Sequence, residues 1–151
     1  MAGYIHVQLK NGIGMDSVVN PVLSDVRTEW DWVRYGIEEI LKEDRNLTFR
    51  PEDVYAACLA GQALLWTTDE GFVVSTSETD VFNGEKTFLV WLAWARERGN
   101  NLAVKHRCFF EEAAKDAAFD KIEVRSAIPE VRDYLINTGW EIDTVVFTRY
   151  L

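Results

Sequence analysis

The chain has 151 residues, 48% of them apolar, with few Gly and Pro and a formal charge of −9. That length suits a single domain spanning residues 1–151 that buries about 68–70% of its unfolded surface, and the composition excludes disorder. The acidic balance argues against a nucleic-acid-binding face, which needs clustered Lys and Arg, and no apolar run approaches the roughly 18 residues of a membrane span.

The same charge suits a basic acceptor such as a lysine side chain or a polyamine, or an acidic protein that imitates DNA, although charge more often serves only solubility. Met1-Ala2-Gly3-Tyr4-Ile5-His6 lacks the cationic start and long apolar core of a secretory signal. Cys58 and Cys108 fall in helical patterns without a metal-ligand spacing and read as buried free thiols in a reducing compartment. The expectation is a cytoplasmic protein.

In chain order, Tyr4 to Leu9 alternates as a strand that Asn11-Gly12 ends. A loop with Asn20-Pro21 follows. Ser24, Asp25 or Thr28 caps a helix running to about Glu43, with Trp30, Val33, Ile37, Ile40 and Leu41 at helical spacing and an acidic outer face. Pro51 opens a short helix through Leu59, which Gly61 closes. Gln62 to Thr67 and Phe72 to Ser77 form a hairpin around Thr68-Asp69-Glu70-Gly71. Thr87 to Trp94 is the most continuously apolar strand and therefore central. A helix over Leu102–Phe119, a strand over Lys121–Arg125, a helix from Ile128-Pro129 to Asn137, and a last strand over Glu141–Tyr150 complete the chain. No repeat or linker divides it.

The junction Trp94-Ala95-Arg96-Glu97-Arg98-Gly99-Asn100-Asn101-Leu102-Ala103 takes an apolar strand into a helix. Free backbone N–H groups and the helix dipole suit a phosphate at such a place, with Arg98 as cation and Gly99 as flexible backbone. Arg98 to Ala103 resembles the R-G-x-G-x-G/A loop with which N-acetyltransferases of the GNAT superfamily hold the pyrophosphate of acetyl-CoA. Asn101 stands where the family has glycine; Asn is among the few other residues that tolerate a left-handed backbone. The order β, α, α, β, β, β, α, β, α, β also resembles the GNAT order. About eleven residues after Gly139 leave little room for the family's last two strands.

The resemblance implies an α/β (α+β) three-layer fold, with a mixed, mainly antiparallel sheet of about six to seven strands flanked by helices. It implies acetyl-CoA as cofactor, with Leu92, Ala93 and Trp94 along the pantetheine arm and Arg98, Gly99, Asn100, Asn101, Leu102 and Ala103 around the pyrophosphate. Many active relatives carry a Tyr four residues before a Gly-Phe pair as the acid that protonates the departing thiolate. Here Gly139-Trp140 resembles that pair, but Leu135 holds the Tyr position, and Tyr134 lies one residue early, about 100° around the helix. Glu78, Asp80 and Glu123 are the available general bases, each in need of a raised pKa.

His6 and His106 have no partner in a meaningful ligand or nucleophile spacing, so no metal is expected. There is no Gly-x-Ser-x-Gly elbow and no Walker-type lysine loop; Gly12-Ile13-Gly14 reads as a turn. The six tryptophans read as core, with Trp94 and Trp140 expected near the cleft.

Two functions compete. One is an acyl-CoA-dependent N-acyltransferase that moves an acetyl group to an amine on a small molecule or protein. The other is a GNAT-like interaction or structural module with a protein partner or a homodimer. A looser likeness over residues 52–140 to short GNAT-like proteins of short-tailed phages, including internal virion proteins, favours the second. An acidic mimic that blocks a DNA-binding protein ranks last.

Overall fold

A computed structural model describes residues 6–8 and 17–151. Its elements are β1 (His6–Gln8), β2 (Ser17–Val19), β3 (Val22–Ser24), α1 (Val26–Glu43), α2 (Pro51–Leu59), β4 (Ala63–Thr68), β5 (Gly71–Thr79), β6 (Lys86–Ala95), α3 (Leu102–Lys105), α4 (Arg107–Asp116), β7 (Lys121–Val124) and α5 (Pro129–Asn137). The ends of the predicted Tyr4–Leu9 strand, Asn11-Gly12 and the Gly12-Ile13-Gly14 turn lie outside the described residues.

β3 to β7 form one five-stranded sheet in chain order, antiparallel throughout except for the parallel β6–β7 pair. β1 and β2 make a separate two-stranded ribbon. The main sheet is thus smaller than the six to seven strands expected. β3 falls where a loop was expected: three residues after Pro21 are too few to show an alternation, and their pairing with β4 makes the strand.

Local chemistry sets most boundaries. Asp25, one of the three candidate caps, accepts a bond from the Arg27 N–H at 2.9 Å and starts α1. Pro51 opens α2, where the Asp53 carboxylate accepts from the Arg50 N–H at 2.8 Å. The two-residue turn Asp69-Glu70 joins β4 to β5. Glycine is required just after it, because a Cβ on Gly71 would lie 2.0 Å from the Trp94 carbonyl oxygen across the sheet.

The sheet buries both faces. On one, α1 and α2 cover a core of Val33, Ile37, Val54, Leu65, Phe72, Val74 and Leu92. On the other, α3 and α4 cover Trp66, Val73, Phe88, Val90, Leu102, Phe110 and Ala114. α1 approaches so closely that a Cβ on Gly36 would stand 2.5 Å from Phe72 and 2.6 Å from Trp94.

β6 contains an irregularity its continuous apolar sequence conceals. Val74 pairs with Leu92 but Ser75 pairs with Val90, so Trp91 is an extra residue, a β-bulge. Side-chain parity changes there: Phe88 and Val90 face the α4 side, whereas Leu92 and Trp94, two and four residues on, face α1.

Three further expectations are corrected. The predicted Leu102–Phe119 helix breaks at His106 into α3 and α4. Cys108 is exposed and Cys58 only half-buried, so they are free thiols but not core residues. Residues 141–151 form no strand and are exposed throughout.

Candidate functional site

β7 pairs with β6 only from Thr87 to Val90. Beyond Val90, the stretch Trp91–Ala95 has β5 on one side and, among the described residues, no strand on the other. The bulge falls where the two strands part. Leu92, Ala93 and Trp94 lie in this parted stretch, so their outward backbone groups are free for an extended ligand. Their side chains divide: Leu92 is buried, Trp94 packs toward α1, and Ala93 faces the α4 side.

At the end of β6 the chain turns through Glu97–Asn100. Gly99 has φ +81°, and a Cβ there would meet nothing within 4 Å, so backbone conformation rather than space favours glycine. Asn101 has an ordinary φ of −89°. Its place in the loop therefore does not use a left-handed backbone. Its side-chain oxygen instead accepts the Val104 N–H at 3.1 Å and caps α3. The Leu102 and Ala103 side chains are buried in the α4-side core, while their N–H groups meet no acceptor among the described residues.

The flanking side chains tie this turn to two other elements. Arg98 donates to Glu43 at the end of α1, 2.8 Å away, with its side chain 90% exposed. Asn100 donates to one oxygen of Glu70 at 3.0 Å and Lys105 to the other at 2.5 Å. The Lys105 bond, aided by Asn100 against a smaller burial cost, holds the Glu70 carboxyl below the usual carboxylate range. Sequence reasoning missed Glu70, a hairpin-turn residue brought in from 30 positions away. Its only signal was a carboxylate in the turn whose strands flank the loop.

His106 sits at the break between α3 and α4, buried, with its Nε2 unpartnered. Burial pushes its pKa below the ordinary value of 6.5, with Lys105 adding to the effect and Glu70 opposing it.

The four proton-transfer candidates fall in three places. Tyr134 is exposed on α5, and its oxygen accepts from Arg107 Nη1 at 3.1 Å at the start of α4; Leu135 turns inward and is buried. Glu78 and Glu123 come together from β5 and β7, but on a shared cation: Arg125 donates to Glu123 at 2.6 Å and to Glu78 at 3.0 Å. The guanidinium loses some hydration there, yet the two carboxylates more than offset this and raise its pKa. Asp80 accepts from the Phe82 and Asn83 N–H groups and serves the loop between β5 and β6.

On the α1 face, Asp31, Trp32, Tyr35, Trp94 and Arg96 line an open cleft of about 450 Å³. The Arg96 guanidinium lies 4.8 Å from the Trp32 ring centre. Trp94 thus does border a cleft, whereas Trp140 donates to Glu111 of α4 at 2.9 Å. Among the described residues, no group of three His, Cys, Asp or Glu is arranged to hold a metal, and no helix is long and apolar enough to cross a membrane.

No protein-family model matches the chain, and no curated protein matches it. Solved structures do. Ribosomal-protein-alanine N-acetyltransferase from Brucella melitensis biovar Abortus 2308 superposes with a TM-score of 0.63 at 13% identity, over 89% of this chain and 99% of its own. Glucosamine-6-phosphate N-acetyltransferase from Arabidopsis thaliana gives 0.59 at 10% identity, over 86% and 96%. An acetyltransferase from Trypanosoma brucei gives 0.57 at 8% identity, over 87% and 98%. At such identities the likeness is one of fold.

Proposed function

We propose, starting from the GNAT acetyltransferase fold that the chain has, that it is an acyl-CoA-dependent N-acyltransferase with a diverged site. The observation that carries this reading is the parting of β6 from β7 after Val90, directly before the Arg98–Ala103 turn. The residues present fit acetyl-CoA: among the described residues, a strand edge without a neighbour for an amide-bearing arm, then a turn whose Leu102 and Ala103 N–H groups meet no acceptor, with Arg98 and Lys105 beside it in the chain. Acetyl-CoA, when bound, supplies an acetyl thioester as the group to be transferred.

The protein's own part is to orient and to move protons. Leu92, Ala93 and Trp94 present backbone groups along the parted edge. Arg98 exchanges Glu43 for phosphate oxygens. Glu123, the carboxylate one residue before β7 ends, accepts the proton of the acceptor ammonium, with Arg125 and Glu78 fixing its position. Tyr134 gives its hydroxyl proton to the departing group; Arg107, which donates to its oxygen at 3.1 Å, holds the ring in place. The acceptor is an amine, and the negative net charge favours a basic molecule or protein. The loop from Asp44 to Pro51 and the segment before Glu141 select it. The site of action is the cytoplasm.

The alternative is a GNAT-fold interaction or structural module without turnover, for example virion-associated or host-interacting. It is supported by Arg125 clamping both candidate bases and by Leu135 in place of the usual tyrosine. Calorimetry with acetyl-CoA and CoA separates the readings. Saturable heat that weakens in Arg98→Ala supports the enzyme. No heat and no thermal shift at millimolar ligand ends that reading, because a ligand of the native state must stabilise it.

A further inference from the structure

The cleft on the α1 face is left unused by acyl transfer. The Trp94 ring stacks on Phe72 of β5 with centres 5.7 Å apart. Arg96 is fixed to the β4–β5 turn: its backbone N–H donates to the Glu70 carbonyl at 2.8 Å and its Nε to the Asp69 carbonyl at 3.0 Å. The cleft therefore lies over the flank of β6 that faces β5, opposite to the parted one.

Its walls are aromatic. Tyr35 stands at 84° to Trp94 with centres 6.1 Å apart, and Trp32 is tilted at 46° to Trp94 with centres 6.4 Å apart. The three rings thus form a corner with open faces instead of a closed stack. Glu29 accepts the Trp32 Nε1–H at 2.6 Å, so that ring has no donor left to satisfy and offers apolar surface. The volume, about 450 Å³, falls in the range of small-ligand clefts.

The cleft also holds two opposite charges apart. Asp31 and Arg96 both line it and are exposed, yet among the described residues neither forms an ion pair with the other or with any third residue. Nearby arginines are spoken for: Arg27 by Asp25, Arg34 by Glu38 and Arg98 by Glu43. The Arg96 guanidinium instead lies 4.8 Å from the Trp32 ring centre and 5.8 Å from that of Trp94, and its Nη groups meet no acceptor among the described residues. We propose that this cleft binds a free α-amino acid with an aromatic or branched apolar side chain, as the zwitterion. Asp31 accepts from the ammonium, the Arg96 Nη groups donate to the carboxylate, and the side chain fills the corner of Trp32, Tyr35 and Trp94. A ligand that is only a cation would meet the charge of Arg96, and one that is only an anion would meet Asp31. The proposal stands independently of acyl-CoA binding.

Calorimetry of the full chain with L-phenylalanine and L-leucine up to about 10 mM tests it, with N-acetyl-L-phenylalanine and L-phenylalaninamide as probes that each lack one charge. Saturable binding of at least one free amino acid is expected. Each one-charge probe should bind at least about tenfold more weakly than L-phenylalanine, the loss of a hydrogen bond to a charged group. Asp31→Asn and Arg96→Gln, both at exposed positions, should weaken the free amino acid by a similar factor with the melting temperature of the free protein little changed. No saturable heat with either amino acid overturns the proposal. So does a one-charge probe that binds as tightly as L-phenylalanine, which would make the cleft a seat for a peptide terminus, and so does binding unchanged in both variants.

Discussion

The α1 layer and the C-terminal third of the chain are built to different standards. Under α1 and α2, Val33, Ile37, Val54, Phe72 and Val74 are completely buried, and the helix comes near enough to the sheet to require Gly36. On the other side β7 has four residues, none fully buried, α5 buries only Val131 and Leu135, and residues 141–151 are all exposed. The contrast teaches where each property resides. Stability comes from the layer that fixes β4 to β6, and that rigid frame holds the parted edge and the Arg98 turn. The C-terminal third supplies two of the proton-transfer candidates, Glu123 and Tyr134, where sequence can diverge without unfolding the protein.

Substitutions ordered by effect sharpen this difference. Phe72→Ala removes a ring that touches Trp32 and Trp94 and is expected to cost about 3–5 kcal/mol by chemical denaturation. Gly36→Val forces a branched side chain into Phe72 and Trp94 and should cost about 1–3 kcal/mol. Ser75→Ala leaves the buried Trp66 Nε1–H, now bonded to Ser75 Oγ at 2.9 Å, without a partner, for about 1–3 kcal/mol. In the other region Tyr150→Phe, losing an exposed bond of 3.3 Å, should stay within about 0.5 kcal/mol. A tail substitution as costly as Phe72→Ala would erase the distinction.

Acid should act on the Arg98 turn first. His106 has a folded pKa below its unfolded 6.5, so the unfolded chain takes up the proton more readily. Its contribution is whole above pH 6.5 and is lost as the pH falls from there through the folded value. Glu70, also lowered, has a contribution whole above 4.5 that is lost as the pH falls through its folded pKa. Melting temperature should therefore fall in two stages on acidification. His106→Leu should remove the first stage and leave the second, and a single stage below pH 4.5 in the wild type would refute the role given to His106.

Much of the frame was legible because it is written locally. The Asp25 cap, Pro51, the Asp69-Glu70 turn and the apolar run of β6 each act within a few residues of themselves. What was hidden depends on partners. A bulge at Trp91 leaves no mark in a strand that is apolar on both faces, and the break at His106 falls inside a run that keeps a helical pattern on either side. The Val145-Val146-Phe147 run carries strand propensity, but propensity alone cannot supply a neighbouring strand. At the candidate site the turn at Arg98 was readable, while Glu70, which joins Asn100 to Lys105, was not. Asn101 was noticed for the wrong property: it caps α3 with its side chain instead of using a left-handed backbone.

The central claim is that the edge of β6 beyond Val90 and the turn after it receive one extended, anionic ligand. Amide hydrogen exchange with and without CoA tests that claim most directly. Protection that rises at Trp91–Ala95 and again at Arg98–Ala103, and is lost in Arg98→Ala, is the predicted result. Unchanged exchange in both segments at saturating CoA, or protection confined to another part of the molecule, would contradict it.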